Sequence, residues 1–253
     1  MGVRARRSEI VGLLQENGEL EITELSGRFD VSEMTVRRDL EALEREGVLK
    51  RVRGGAISAT SRSYEPPFAF RTGHNTEEKT RIGLAAAEMV SEGETVILDV
   101  GTTALAVARV LQERRNITVL TPSLRVAWLL ADKPELRVIL TGGIVRPGER
   151  SLIGALSERA FENLYCDTFF MGIGGVDELA GFTEFNLDDA RVKQQAMGYC
   201  RRCLVVADAS KLGQVAFARV AGIDDVDALI TDSRAEPERV SKLHDAGVEV
   251  ITA

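Results

Sequence analysis

Residues that usually signal bound metal or covalent cross-links are scarce: the 253-residue chain has three cysteines and two histidines. Three cysteines cannot build a disulfide framework, and cytoplasmic residence is the expectation that follows. Cys200 and Cys203 form a C-x-x-C, but a redox pair belongs at a helix N-terminus, where the dipole lowers the thiol pKa. Here "YCRRCLVV" runs from a helical pattern into a strand. A zinc site would need two more ligands from Cys166, His74 and His244, none of which sits in a ligand-spaced cluster. No metal and no cofactor are therefore expected. Long apolar runs are missing as well. Val96–Leu98 and Leu136–Leu140 are strand-sized, far too short to span a bilayer. The start "MGVRARRSEI" is basic but no apolar core follows, so a signal peptide is not expected. Internal repeats and low-complexity tracts are absent, and so is any excess of positive charge: the formal net charge is −7.

What is present describes an ordinary globular protein, with 44% hydrophobic and 28% charged residues. The length suggests a small domain followed by a larger one. Residues 6–16 place Ile10, Leu13 and Leu14 on one helical face. Asn17-Gly18 stops that helix, "ELEI" reads as a brief strand, and "TELSGRFD" as a second short helix buried through Leu25 and Phe29. Asp30-Val31-Ser32 breaks it, with Ser32 an N-cap for a third helix. That helix buries Val36, Leu40 and Leu43, which leaves Met34, Arg37, Arg38 and Glu41 on a different face. "VLKRVRGGAI" follows as two strands around Gly54-Gly55, able to pair with "ELEI".

Two helices joined by a tight turn make a helix-turn-helix, and the trailing hairpin with Lys50, Arg51 and Arg53 makes it winged. The third helix can enter the major groove with Ser32, Met34, Thr35, Arg37 and Arg38 toward the bases, while the hairpin cations meet phosphates. Residues 1–57 carry ten Lys/Arg and eleven Asp/Glu, so the domain is near neutral. Weak non-specific affinity then calls for two copies per site, hence a homo-oligomer, dimer or tetramer. The stretch "EITELSGRFDVSEMTVRRDLEALEREGVLKRVRGGAI" resembles the winged-helix domain of the DeoR-type bacterial transcriptional regulators. The resemblance implies that residues 32–38 read DNA and that the protein is a repressor.

Residues 58–78, with Ser/Thr-rich composition and Pro66-Pro67, read as a linker between domain 1–57 and domain 79–253. From Lys79 onward, apolar strands at "ETVILDV", "ITVLT", "LRVILT", "TFFMGI", "CLVVAD", "DALITD" and "VEVIT" alternate with helices. This is the α/β pattern of a mainly parallel sheet covered on both faces. Ligands bind such sheets beyond the carboxyl ends of the strands. Those ends deliver Asp99, Gly101, Thr102 and Thr103; Thr121 and Ser123; Thr141, Gly142 and Gly143; Gly172, Gly174 and Gly175; and Asp208 and Lys211. Glycines and hydroxyls at a helix N-terminus form a ready anion site, and the whole set fits a phosphorylated sugar or polyol.

"ILDVGTT", "TGGIVRPGERSLIGA", "GIGGVDELAGFT", "DDARVKQQAM" and "VVADASKLG" occur in an order similar to the DeoR effector domain. The resemblance implies a fold akin to ribose-5-phosphate isomerase and the CoA transferases, and a phosphorylated-sugar effector. It also implies that Asp99–Thr103 hold the phosphate, with Lys193 and Lys211 meeting phosphate or hydroxyls. Pro122 departs from the asparagine common there. A rival reading makes the second domain an isomerase-like enzyme using Asp177, Glu184 and Lys193 for proton abstraction. The isomerases' own motifs are not recognisable, fold kinship does not carry chemistry, and an enzyme has no use for a winged helix. No catalytic residues are assigned.

Overall fold

The computed structural model describes residues 2–45, 47–58 and 62–253. The chain divides into two compact units, Met1–His74 and Asn75–Ala253. Among the described residues no helix is long and apolar enough to cross a membrane.

The first unit runs α1 (Val3–Asn17), β1 (Glu19–Glu21), α2 (Ile22–Phe29), α3 (Glu33–Arg45), β2 (Leu49–Val52), β3 (Gly55–Ser58) and α4 (Phe68–Thr72). Asp30, left-handed at φ 50°, closes α2 by donating its N–H to the Ser26 carbonyl. The Ser26 hydroxyl donates to the Val31 carbonyl at 2.6 Å, which fixes the tight turn into α3. Ile10 and Leu14, Leu25 and Phe29, and Val36, Leu40 and Leu43 bring the three helices to one core, roofed by Leu20, Leu49 and Ala56. Tyr64 and Phe70, from the stretch expected to link the domains, pack against that same core. Residues 59–61 of that stretch lie outside the described residues.

The strands pair antiparallel in the order β1-β3-β2. The glycine pair serves two separate demands. Gly54 makes the turn at φ +91°, whereas Gly55 already belongs to β3, where a Cβ would lie 2.0 Å from the Leu20 carbonyl oxygen. The hairpin therefore turns one residue earlier than Gly54-Gly55.

A buried ion triad ties α1 to α3. Asp39 accepts from Arg6 Nε at 2.6 Å and from Arg7 Nε at 2.8 Å. The Arg6 and Asp39 side chains are 6% and 3% exposed, the Arg7 side chain 31%. The basic start of the chain is thus spent inside the domain, on the back of α3.

The second unit runs α5 (Thr76–Glu88), β4 (Thr95–Leu98), α6 (Thr102–Leu111), β5 (Ile117–Thr121), α7 (Leu124–Leu130), β6 (Leu136–Leu140), β7 (Ile144–Val145), β8 (Leu152–Ile153) and α8 (Ala155–Arg159). It continues with β9 (Cys166–Gly172), β10 (Gly175–Asp177), β11 (Gly181–Glu184), α9 (Leu187–Met197), β12 (Cys200–Val206), β13 (Ala218–Ala221), β14 (Ala228–Thr231), α10 (Pro237–Asp245) and β15 (Glu249–Thr252). Seven strands form one sheet in the order β15-β14-β12-β9-β4-β5-β6, every neighbouring pair parallel. Val96–Leu98 and Phe169–Met171 are buried along their length, as a parallel sheet covered on both faces requires.

Two antiparallel pieces join this α/β core: the hairpin β7-β8 and the small sheet β10-β11-β13. Gly175 and Asp177 accordingly lie in a strand, not in a loop after β9. From β4 the chain winds outward through β5 and β6, then crosses to β9 and winds the other way through β12, β14 and β15. The winding reverses between β4 and β9, and a sheet of this kind opens its ligand crevice there.

Removing one partner of a buried ion pair leaves an uncompensated charge and costs about 3–5 kcal/mol. Asp39→Ala should destabilise the first unit by about that much. Arg6→Ala should cost more than Arg7→Ala, whose side chain keeps contact with water. Urea denaturation of the full chain followed by circular dichroism measures the ranking, and equal midpoints for all three variants would contradict it.

Candidate DNA interface and sensor site

In the first unit, α3 starts on Ser32, whose hydroxyl accepts from the Thr35 N–H at 3.3 Å and lies 3.0 Å from the Thr35 hydroxyl. This cap sets the angle at which the first turn leaves the domain. Ser32 and Met34 are exposed there, with Met34 60% accessible, and Thr35 is half-buried beside them. Arg37 and Arg38 follow on the exposed face, one turn further. Arg37 is held by Glu33 at 3.2 Å across one helical turn. Arg38 forms no side-chain ion pair among the described residues.

The hairpin cations divide in the same way. Lys50, Arg51 and Arg53 are all exposed, but Arg51 donates Nε to Glu44 at 2.6 Å and its backbone N–H to the same carboxylate at 2.9 Å. The Glu44 bond raises the Arg51 pKa, and the Arg51 bonds lower that of Glu44. Acids of α3 thus sit on two of the five arginines and lysines expected at DNA.

In the second unit, the carboxyl ends of β4, β5, β6, β9 and β12 meet at one edge of the sheet, which brings together the loop residues read from the sequence. At the β4–β9 reversal, Gly101 (φ +101°) precedes α6. Thr102 and Thr103 are its first two residues, 7% and 8% exposed. The first intrahelical bond runs from Leu105 N–H to Gly101 O at 3.1 Å, so the N–H groups of residues 102–104 have no partner within the helix. On the facing strand, Gly172 leaves space where a Cβ would lie 2.7 Å from the Val100 carbonyl oxygen.

Beneath this turn lies a closed network. Asp99 accepts the Gly172 N–H at 2.9 Å and the Lys193 ammonium. Lys193 also donates to the Gly172 carbonyl at 3.0 Å and pairs with Glu184 at 3.3 Å. Burial opposes the charge on Lys193, but Asp99, Glu184 and Asp189 outweigh it and raise its pKa. Burial likewise pushes the Asp99 carboxyl up, with Lys193 pulling it back. Lys193, expected to meet a ligand, is instead 1% exposed and fully occupied.

The remaining predicted residues are partly spent on the scaffold. The Thr121 hydroxyl donates to the Leu98 carbonyl at 2.6 Å and accepts the Ser123 N–H at 3.0 Å. Ser123 caps α7 by accepting the Val126 N–H. Thr141 lies 2.9 Å from the Ser157 hydroxyl, and Gly142 and Gly143 carry the turn after β6 at φ +79° and +115°. Gly174 donates to the Thr183 carbonyl at 2.9 Å. Asp208 accepts from Asn75 at 2.8 Å and from the Ser210 hydroxyl at 2.5 Å, with Lys79 Nζ at 3.8 Å. Burial opposes the Asp208 charge, but Lys211, Lys79 and these bonds prevail and lower its pKa. The Lys211 ammonium lies 5.5 Å from the centre of the Phe185 ring. Sequence reasoning missed two supports. Arg146, which pairs with Asp189 at 2.7 Å, ties the β7 hairpin to α9, and Lys79 is buried against Asp208. Their partners lie far along the chain, so no local spacing announces them. Cys200 and Cys203 both lie on β12, and among the described residues no group of three His, Cys, Asp or Glu could hold a metal ion.

Comparison with known proteins adds a second line. Residues 6–62 match the DeoR-like helix-turn-helix domain, and residues 74–233 match the DeoR C terminal sensor domain. The HTH-type transcriptional regulator GolR of Listeria innocua is 36% identical over 245 residues, covering 97% of this chain and 96% of its own. The glycerol-3-phosphate regulon repressor of Escherichia coli is 34% identical over 228 residues, covering 90% of each chain. Ribose 5-phosphate isomerase A of Methanocaldococcus jannaschii superposes with a TM-score of 0.42 at 17% identity, over 54% of each chain.

Lys193→Met keeps the stem but removes the charge between Asp99 and Glu184. It should destabilise the second unit by about 3–5 kcal/mol, whereas Thr102→Val should leave stability nearly unchanged. Thermal unfolding of the two variants separates these outcomes; a parent-like Lys193→Met melt would show that the network carries no stability.

Proposed function

The chain belongs to the DeoR family of transcriptional regulators, and from that premise we propose that a phosphorylated sugar or polyol governs its hold on operator DNA. The relatives named above are regulators rather than enzymes, and this chain is a DNA-binding transcriptional repressor. The observation that carries the effector reading is the turn Gly101–Thr103 at the sheet's winding reversal. It offers helix N-terminal N–H groups and two hydroxyls to an anion, above an Asp99 whose charge Lys193 neutralises. Without that lysine, a buried carboxylate would repel the phosphate three residues away. Thr141, Gly142, Gly143, Gly174 and Lys211 follow strands at the same sheet edge and are the residues that would meet sugar hydroxyls. The name of the Escherichia coli relative, a glycerol-3-phosphate regulon repressor, agrees with a small phosphorylated polyol. The protein works in the cytoplasm, where operator and metabolite are both at hand, as a homo-oligomer of two or four chains.

DNA reading falls to Met34, Thr35, Arg37 and Arg38 in the groove, with Ser32 at the helix start and Lys50, Arg51 and Arg53 on phosphates. The effector can alter this only by binding two arrangements of the oligomer unequally, because operator half-sites fix the spacing of the winged helices.

Four variants test this reading. Arg38→Ala should weaken specific operator binding by about 1–3 kcal/mol. Arg53→Ala should weaken binding to all DNA and lower the salt slope by about one unit. Glu33→Gln frees Arg37 and removes a negative charge from the interface, so it should raise affinity for non-operator DNA. Footprinting titrations at two salt concentrations read all three, and parent-like binding throughout would overturn the contact assignment. Thr102→Val should bind operator like the parent yet need about tenfold more sugar phosphate to respond, a loss equal to one good hydrogen bond to a charged group. An unchanged response would place the sensor site elsewhere.

A further inference from the structure

An apolar groove lies on the outer side of α6 and α7, enclosing about 560 Å³. Leu105, Leu124, Trp128 and Val145 line it together with Arg109, Arg125 and Arg150. Trp128 is 86% exposed, which is unusual for the chain's one tryptophan, and Val145 is 49% exposed. An exposed apolar patch with a charged rim marks an interaction surface. The rim is primed for acids. Neither Arg109 nor Arg150 has a side-chain ion pair among the described residues. Arg150 moreover sits at φ +62°, a left-handed backbone that a non-glycine residue rarely adopts.

The charge of the groove decides against its packing on its own copy, since a self-complementary contact would set arginines against arginines. It calls for an apolar knob flanked by carboxylates, and the chain carries one. The turn between β10 and β11 presents Leu179, 89% exposed, directly after Asp177 and Glu178. Asp177 Oδ1 accepts the N–H groups of Leu179 at 3.0 Å and Ala180 at 2.8 Å, so the tip is held in shape before it meets anything. Preorganisation lowers the entropic cost of association.

We propose that the Asp177–Ala180 tip of one protomer docks in the α6–α7 groove of a second copy of this chain. Leu179 enters beside Trp128, and the carboxylates of Asp177 and Glu178 meet Arg109 and Arg150. The contact joins two different surfaces: copies related by a two-fold axis make it twice in an isologous interface, and a ring makes it once per protomer in heterologous ones. It rests on the homo-oligomeric part of the functional reading, and on neither the effector nor the DNA contacts.

Sedimentation velocity of the full chain over a concentration series tests it. Leu179→Asp and Arg150→Glu should each raise the dissociation constant of the assembly about tenfold or more, as loss of an interface anchor does. Glu178→Arg should weaken assembly alone and recover it when combined with Arg150→Glu. Leu179 and Arg150 are exposed and Glu178 is half-buried in a turn, so the variants should melt close to the parent, and circular dichroism checks that they do. Parent-like assembly by well-folded Leu179→Asp, or a parent that is monomeric throughout, would overturn the proposal. So would loss of assembly in Arg150→Glu with none in Leu179→Asp or Glu178→Arg, which would show the groove receiving another partner surface. Sugar-phosphate thermal shifts on the same samples report the effector site separately, so failure of either reading is visible without the other.

Discussion

Lys193 holds one ammonium group against three parts of the chain that are remote in sequence. Asp99 ends the first strand of the sheet, Gly172 ends the strand beside it, and Glu184 ends a strand of the small antiparallel sheet. The winding reversal of the sheet splits β4 from β9 at this point, and the charge network closes the gap beneath the crevice. A buried ion pair of this kind contributes little net stability against an apolar alternative, but breaking it is costly. What it does supply is a definite geometry. The turn from Asp99 into α6 is held from below, while the N–H groups and hydroxyls above it remain unspent.

The same device recurs in the first unit. Asp39 takes two arginines from α1 and so sets the rotation of α3, the helix proposed to carry the DNA-reading face. On its outer side, α3 and the wing hold their cations in check with their own acids: Glu33 on Arg37 and Glu44 on Arg51. These exposed pairs are worth little in water and can be exchanged for phosphates at modest cost. On the proposed reading, a domain built this way would bind arbitrary DNA weakly and gain from pairing with a second copy, which would link oligomerisation and DNA selectivity through charge balance.

The sensor unit places its exposed apolar side chains unevenly. Trp128 and Val145 line one groove, and Leu179 stands on the tip of a hairpin whose strands are otherwise largely buried. The sheet core explains none of these exposures, because β4 and β9 are already covered on both faces. Contact with another protein surface does.

Much of this was legible in the sequence. Helical spacing of Val36, Leu40 and Leu43 assigned the buried face of α3, and the outer face with Arg37 and Arg38 followed by rotation alone. The runs at Val96–Leu98 and Phe169–Met171 announced buried parallel strands, and the parallel topology then carried Asp99, Gly172 and Asp208 to one edge. Those inferences rest on periodicity and connectivity, which are local. The tertiary structure decided what local pattern cannot carry: which charges meet. Lys193 in "DDARVKQQAM" is expected to meet phosphate or hydroxyls and proves to be buried, because its partners stand 94 and 9 residues away in the chain. Arg6 and Arg7 belong to the basic start "MGVRARRSEI" and prove to be the clamp on Asp39. Hydrophobic burial depends on a residue's own type and its near neighbours, whereas an ion pair depends on the distance between two charges, and only the folded chain sets that distance.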